Sequence, residues 1–289
     1  MITFICCSIK PEMAEALRTN ISETIGSTPF ELIAYDNRTE RKGICQVYNQ
    51  CARVAKYNLL CFLHEDVRFL SKDWGAEIAR KLGEADCGVV GFAGSIAKMR
   101  YPSGWHLNRD TTRHNYRQHY IRRKKQPSHK RFNPDGGDYT PVITLDGMAL
   151  FASKELWGRH PFDEQMLPGF HGYDVDFAIA AAANGYKNYV TNKLYLEHLS
   201  EGSFSEEWRT AVLKIHTKWQ DKLPLFARTL PRRWLIKTKY SSIKNVIRNS
   251  FFNDEQIDEQ VKSFTEENPL NINTLKLHLY LNKKRKKNE

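Results

Sequence analysis

The sequence predicts an α/β fold: a Rossmann-like, mixed but mainly parallel sheet with helices on both faces, followed by a helical extension at the C-terminus. Three observations carry this. Short, nearly continuous apolar runs alternate with stretches of helical period through the first third of the chain, as in strands buried on both faces and joined by crossover helices. A cluster of ligand-type side chains, His64-Glu65-Asp66, stands at the end of one such run, where open α/β sheets place their chemistry. Beyond residue 204 the chain turns to basic stretches with apolar residues at helical spacing. The expected division is a sheet domain over 1–204 and a basic, mainly helical extension over 205–289.

Ile2–Ser8 reads as the first strand. Pro11 then opens a helix, where its missing N–H costs little, with Met13, Ala16, Leu17 and Ile21 on one face. A second strand over 30–35 ends in the polar turn Asp36-Asn37-Arg38, and 43–56 carries Ile44, Val47, Cys51, Val54 and Ala55 at helical spacing. The apolar run 57–63 is the third strand. A helix over 74–82 and a glycine-punctuated strand over 88–93 continue the alternation. From 109 to 131 the pattern breaks: nine Lys or Arg, three His and two Tyr stand against one acid, and Pro134-Asp135-Gly136-Gly137 closes the segment. It reads as a long, mobile, basic excursion, either a solvated loop or a flap over phosphates. The stretches 142–145 and 148–151 flank Asp146-Gly147, whose glycine marks either a bulge or the approach of a ligand to backbone. A short helix over 154–157 follows. The next helix has Asp174 as its N-cap, the alanines of 178–183 in its interior and Asn184-Gly185 as a left-handed exit. A strand over 186–196 then leads into Glu197-His198.

A formal net charge of +11 implies an acidic partner: a nucleotide diphosphate, a nucleic acid or an anionic membrane surface. All six cysteines lie within the first 87 residues, without a Cys-x-x-Cys pair or zinc-ligand spacing; they are expected as reduced, mostly buried thiols. No apolar stretch approaches the ~18 residues of a membrane span, and the N-terminus lacks a basic leader. The cytoplasmic side is the expected location, with peripheral attachment at the inner face of the membrane as an option.

Three chemical clusters thus follow one another: His64-Glu65-Asp66, Tyr173-Asp174-Val175-Asp176 and Glu197-His198. Their order, within Phe62-Leu63-His64-Glu65-Asp66-Val67, Gly172-Tyr173-Asp174-Val175-Asp176-Phe177, Asn184-Gly185-Tyr186-Lys187 and His198, resembles the family-2-like glycosyltransferases of the GT-A fold. The branch most similar is the one typified by a streptomycin-biosynthesis glycosyltransferase-like domain. Asn49 and Phe162-Asp163-Glu164 also stand in family-like positions, and the resemblance covers roughly 1–204. It implies that Asp66 is the final acid of an Asp-x-Asp-type metal motif, with His64 where the first Asp would be, and that His198 completes the metal site. It implies Asp174 as the base, with Tyr173 in the place of the motif's Glu and Asp176 as the alternative base. Ser8, Asp36, Glu65 and Asp66 fall on the nucleotide side, and Gly147, His171 and Tyr173 on the acceptor side. The implied donor is a nucleotide-diphosphate sugar, a UDP-sugar first. A glycan or lipid-linked hydroxyl would be the acceptor, as in polysaccharide biosynthesis, with inversion by direct displacement.

Such a transfer must offset charge building on the departing diphosphate while an acceptor hydroxyl loses its proton. Mn²⁺ or Mg²⁺ meets the first need with few protein ligands, since phosphate and water complete its shell, and an imidazole ligand tilts the choice toward Mn²⁺. A carboxylate near the acceptor meets the second and is typically worth about 10²–10⁴ in rate. At a helix N-terminus Asp174 is expected to stay ionised.

In the extension, Trp208, Val212, Ile215 and Trp219 form an amphipathic stripe after Ser205-Glu206-Glu207. The stretch 232–248 repeats the spacing with Ile236, Tyr240, Ile243 and Ile247 among six basic residues, and Lys283-Lys284-Arg285-Lys286-Lys287 follows near the end. Both suit an anionic membrane as well as solvent. Residues 275–281 fit strand or helix. Competing readings are a nucleic-acid-binding protein built on 109–131, which leaves three chemical clusters without a role, and a sugar-nucleotide-binding protein without turnover. A nucleotidyltransferase is disfavoured because Ser8-Ile9-Lys10-Pro11 is not a Gly-rich loop.

Overall fold

Strand β1 (Ile2–Ser8) is apolar at most positions and almost wholly buried, which makes it the inner strand of a larger sheet. In this computed structural model, which describes residues 1–120, 124–202 and 204–286, α1 (Pro11–Thr24), β2 (Phe30–Asp36), α2 (Ile44–Val54) and β3 (Leu59–Leu63) follow. Both β2 and β3 pair with β1 in parallel. The register sets Ser8 opposite Asp36 and Cys6 opposite Leu63, so the carboxyl ends of three strands deliver Asp36, Ser8 and His64 to one edge.

The chain continues through β4 (Val67–Phe69), α3 (Gly75–Leu82), β5 (Cys87–Gly91), β6 (Ala93–Ser95), β7 (Ala97–Lys98), β8 (Thr112–Tyr120) and β9 (Lys125–Phe132). Next come β10 (Tyr139–Val142), β11 (Thr144–Leu145), β12 (Ala149–Ser153), α4 (Lys154–Arg159), α5 (Tyr173–Ala183), β13 (Lys187–Thr191) and β14 (Leu196–His198). The main sheet runs β10-β13-β5-β12-β3-β1-β2. It is mixed, because β12 lies antiparallel to both β3 and β5. Leu17, Ile21 and Ile78 of α1 and α3 fill the core on one face, and Val47, Tyr48, Phe177 and Ile179 of α2 and α5 fill the other. A second sheet, β11-β6-β8-β14-β4 with β9 on β8, stands at the carboxyl edge.

The segment read as a mobile basic excursion is instead the β8–β9 hairpin, paired in antiparallel register from His114↔Phe132 to Tyr120↔Lys125; its Arg122 and Arg123 lie outside the described residues. Hydrophobic period could not show it, because the buried residues of β8 are Thr112, Arg113, Asn115 and Gln118. Most of their polar groups are matched inside: Asn115 Nδ2 donates to Leu194 O (2.6 Å), Gln118 Nε2 to Ser200 O (2.6 Å) and Arg113 Nε to Asp135 (2.5 Å), while Arg113 Nη2 has no hydrogen-bond partner among the described residues. The single strand expected over 186–196 is two, β13 in the main sheet and β14 in the second, so His198 ends a strand beside β8 rather than following one. Asp174 does not cap α5. The helix starts at Tyr173 behind Gly172, whose φ of +88° is the left-handed value glycine tolerates best, and Gly185 at φ +89° forms the expected exit.

The extension holds α6 (Glu206–Trp219), β15 (Leu225–Phe226), α7 (Arg232–Asn249), α8 (Asp254–Glu267) and α9 (Ile272–Arg285). Ser205 caps α6 as its sequence suggests, and α6 sends Ala211 and Ile215 into the core shared with α2 and α5. Ile243 and Ile247 of α7 pack on Ile257, Val261 and Phe264 of α8 and on Leu277 and Leu281 of α9. The apolar face of 232–248 is therefore covered by protein, and 275–281 is helical. Lys287 lies outside the described residues. Among them, no helix is long and apolar enough to cross a membrane.

Candidate active site

The apolar run of β3 ends at Leu63, and the chain turns outward through His64-Glu65-Asp66 before β4. β14 pairs with β4 so that His198 stands opposite Val67, which returns its imidazole to Asp66. His198 Nε2 lies 3.5 Å from Asp66 Oδ1, and His64 Nδ1 lies 3.9 Å from the same oxygen. One ligand atom from each of His64, Asp66 and His198 falls within 4.8 Å of the others. The expected pair Asp66 and His198 thus comes together, and His64 joins it as a third donor that its motif position concealed.

These groups are electrostatically coupled. Burial acts to raise the Asp66 carboxyl, but His198 and His64 beside it prevail and hold it well below the usual carboxylate range. His198 is lowered by burial yet raised overall by Asp66, whereas burial and His198 bring His64 down to about 4, leaving it neutral. His198 Nε2 is buried without a hydrogen-bond partner among the described residues. An orphaned imidazole nitrogen facing a carboxylate and a second, neutral imidazole is the donor set of a metal site, so the residues present fit a divalent cation.

Behind the cluster, Tyr173 at the start of α5 lies in the core, and its hydroxyl meets His64 Nε2 at 2.8 Å and donates to Gly147 O at 2.9 Å. Gly147 is a glycine for this reason, since a Cβ there would stand 2.1 Å from the Tyr173 hydroxyl. What approaches this backbone is Tyr173, and the ring expected on the acceptor side is a buried support for His64. The Gly147 N–H donates to Asp174 Oδ2 at 3.0 Å, so the 146–147 turn fastens Asp174 and Tyr173 to the same place. Asp174 reaches solvent in part, but burial and then the nearby Asp146 charge push its carboxyl up to about 7, the reverse of the ionised helix-end acid expected. Asp146 is a site residue that its place in an ordinary Asp-Gly turn did not reveal. So is Lys98, fully buried, which donates to Ser103 O (2.5 Å), Ser103 Oγ (3.0 Å) and Gly104 O (3.0 Å) and lies near enough for Asp174 to act on its charge.

Asp176 faces the other way. Its two oxygens accept from Trp219 Nε1 (2.7 Å) and Lys218 Nζ (2.9 Å), and Lys218 also reaches Asp163 (3.0 Å), so Asp176 fastens α5 to α6 and is not placed as an alternative base. Asn49 is a buried hub rather than a ligand: its amide donates to Phe162 O and Glu164 and accepts from Trp157 Nε1 and the Phe162 N–H.

On the nucleotide side, Glu65 Oε2 accepts from Ser8 Oγ (2.7 Å) and from the N–H groups of Ile9 and Lys10 (3.1 Å each), binding the β1–α1 turn. Asp36 is exposed and clasped by Arg38 through both oxygens (2.8 and 2.6 Å), which lowers it to about 2. His171 is half-buried, with Nε2 at 3.5 Å from Ser205 Oγ. All six thiols are free, and five are buried.

A family model described as a glycosyltransferase-like family matches residues 3–213. The chain belongs to this glycosyltransferase-like family. No curated protein matches the sequence. Distant likenesses occur among solved structures. Residues 1–349 of TarS from S. aureus align over 100% of this chain and 92% of their own, at 11% identity and a TM-score of 0.48. The mannosyltransferase PcManGT from Pyrobaculum calidifontis, in complex with GDP-Man and Mn²⁺, aligns over 99% and 86%, at 12% identity and a TM-score of 0.44. GalNAc-T7 with UDP, GalNAc and Mn²⁺ aligns over 91% of this chain at 10% identity and a TM-score of 0.47, and this glycosyltransferase-like chain spans 48% of its length.

Proposed function

We propose that the protein moves a sugar from a nucleotide-diphosphate donor, a UDP-sugar first, to the hydroxyl of a glycan or lipid-linked acceptor, inverting by direct displacement on a GT-A-type scaffold. The observation that carries this reading is the shared turn at Asp146-Gly147, which holds a carboxylate tuned to about 7 beside the His64, Asp66 and His198 donor set. Those three residues would hold Mn²⁺ or Mg²⁺, which when bound supplies positive charge against the departing diphosphate. Asp174 Oδ2 accepts from the Gly147 N–H, which fixes the carboxylate that would take the acceptor proton. A base tuned near neutral pH accepts that proton more strongly than an ordinary Asp does. Ser8, Asp36, Glu65 and Asp66 line the nucleotide side at the carboxyl ends of the first strands, and His171 and Gly147 flank the acceptor side.

A nucleic-acid role gains little from Arg113, Arg117 and Arg131 of the basic hairpin, which are engaged with Asp135, Glu197 and Asn115. A membrane-facing role for the extension moves from α7 to α9, where Ile272, Leu275 and Leu279 are exposed beside Lys276 and Lys283. That mixed face suits peripheral contact with an anionic membrane, on the cytoplasmic side in this reading.

The testing experiment is a thermal-shift panel of nucleoside diphosphates and nucleotide sugars with Mn²⁺, Mg²⁺ or chelator. A ligand that binds the native state raises the melting temperature by mass action. A metal-dependent rise with one nucleotide sugar is the expected result; no rise with any of them, alongside salt-sensitive RNA binding, would overturn the reading.

A further inference from the structure

We propose that the metal site is a two-imidazole, one-carboxylate centre that selects a transition-metal dication over Mg²⁺, with Tyr173 as the positioning residue that presents His64 through Nδ1. This rests on the donor-site reading above and deepens it. A tyrosine hydroxyl has one proton to give, and the Gly147 carbonyl at 2.9 Å can only accept, so the proton goes there. The hydroxyl oxygen then accepts from His64 Nε2 at 2.8 Å, which places the imidazole proton on Nε2 and leaves the lone pair on Nδ1. Nδ1 is the nitrogen that faces Asp66 Oδ1, at 3.9 Å.

His198 approaches the same oxygen from the other side through Nε2, at 3.5 Å, and that buried nitrogen has no hydrogen-bond partner among the described residues. The three donor atoms lie within 4.8 Å of one another, and adjacent ligands on an octahedral ion with bonds of ~2.1 Å stand ~3 Å apart, so the donors would draw inward to close the shell on one side. Phosphate and water oxygens would occupy the other. A ring N–H given to a fixed acceptor behind a ligating imidazole is the usual outer-shell support of a histidine ligand. Two imidazole ligands favour Mn²⁺, Co²⁺ or Zn²⁺, whereas Mg²⁺ prefers oxygen and sheds water reluctantly.

The test uses the full chain, stripped by chelation and titrated calorimetrically with Mn²⁺, Co²⁺, Zn²⁺ and Mg²⁺ in the absence of nucleotide, with the visible absorption of bound Co²⁺ as a second readout. Mn²⁺ and Co²⁺ should bind at least about tenfold more tightly than Mg²⁺. Tyr173→Phe keeps the ring and removes only the hydroxyl; it should weaken Co²⁺ binding by about 10–100-fold and alter the absorption band. His64→Asp should narrow the preference over Mg²⁺, and His64→Ala, farther from the core packing, serves if the Tyr173 variant does not fold. Mg²⁺ binding as tight as Mn²⁺, or Co²⁺ affinity and spectrum unchanged in His64→Ala, would overturn the proposal. The two readings fail separately: selective Co²⁺ binding without any nucleotide-sugar response keeps the metal centre and removes the transferase, whereas metal-dependent nucleotide binding untouched by His64→Ala keeps the donor site and removes this centre.

Discussion

Replacing Asp174 by Asn should move activity and stability in opposite directions, and only at the alkaline end. The carboxyl is raised from 3.8 to about 7, first by burial and then by Asp146. The unfolded chain releases this proton near pH 4 and the folded protein near pH 7, so between those values the folded state binds more protons and stability falls as pH rises. At 1.36 kcal/mol per unit, the ionised group costs about 4 kcal/mol above pH ~7, an upper figure because part of the residue reaches solvent. Asn keeps an oxygen for the Gly147 N–H and carries no charge, so Asp174→Asn should raise the melting temperature by several degrees at about pH 8 and by little at about pH 4. Transfer from the donor found by the binding panel should fall at least about 10²-fold with donor affinity intact. In the unaltered protein kcat/KM should climb as pH passes about 7, a limb absent from the variant. Full transfer activity in Asp174→Asn would remove the base assignment. A stability difference independent of pH would refute the account of its environment.

Asp66→Ala should abolish metal-dependent nucleotide binding, read as the loss of the melting-temperature rise with Mn²⁺ plus nucleotide sugar; an affinity equal to that of the unaltered chain, with and without chelator, would exclude Asp66 from the site. Asp176→Ala removes both acceptors of Lys218 and Trp219 and should destabilise by about 1–3 kcal/mol in a denaturant titration, with transfer retained at low temperature. A large loss of turnover without loss of stability would return Asp176 to the chemistry. Leu275→Asp with Leu279→Asp should reduce sedimentation with anionic vesicles, because both residues are exposed on α9; unchanged binding would move membrane contact elsewhere, and no binding by the parent chain would end the proposal.

The parts of this molecule legible in its sequence are those whose burial is apolar and local. β1, β3, α1 and α2 announce themselves because most of their inward positions are aliphatic, aromatic or thiol groups at the period of the element, with Thr3, Asn20, Thr24 and Asn49 among the polar exceptions. The β8–β9 hairpin is illegible for the opposite reason. Its inward residues include Arg113, Asn115 and Gln118, and each is held in part by a carbonyl or carboxylate distant in sequence, from 135, 194 and 200, which no local window contains.

The site divides along the same line. Asp66 and His198, expected as a pair from motif order, lie side by side, whereas Asp174 and Asp176, expected as base and alternative, are separated by their neighbours. Two residues apart on one helix, they diverge by about 200° at ~100° per residue, so one meets the 146–147 turn and the other meets α6. Their shared label as acids conceals that the helix points them at different neighbours.

His64 and Tyr173 carry the argument furthest. Each stands where the resemblance expects an acid, and taken singly each reads as a weakening of its motif. In space they are a bonded pair 2.8 Å apart, with the Tyr173 proton spent on Gly147 O. A carboxylate at 64 could not donate to that hydroxyl, and a carboxylate at 173 would bring a buried charge against the backbone carbonyl of Gly147. Either acid alone would therefore leave the other position mismatched. Because each substitution removes the same hydrogen bond, their effects should not add, and the double-mutant cycle of His64→Asp and Tyr173→Glu, read by Mn²⁺ affinity, measures that coupling directly. Additive effects of the two substitutions would show that the pair is adjacent without being interdependent.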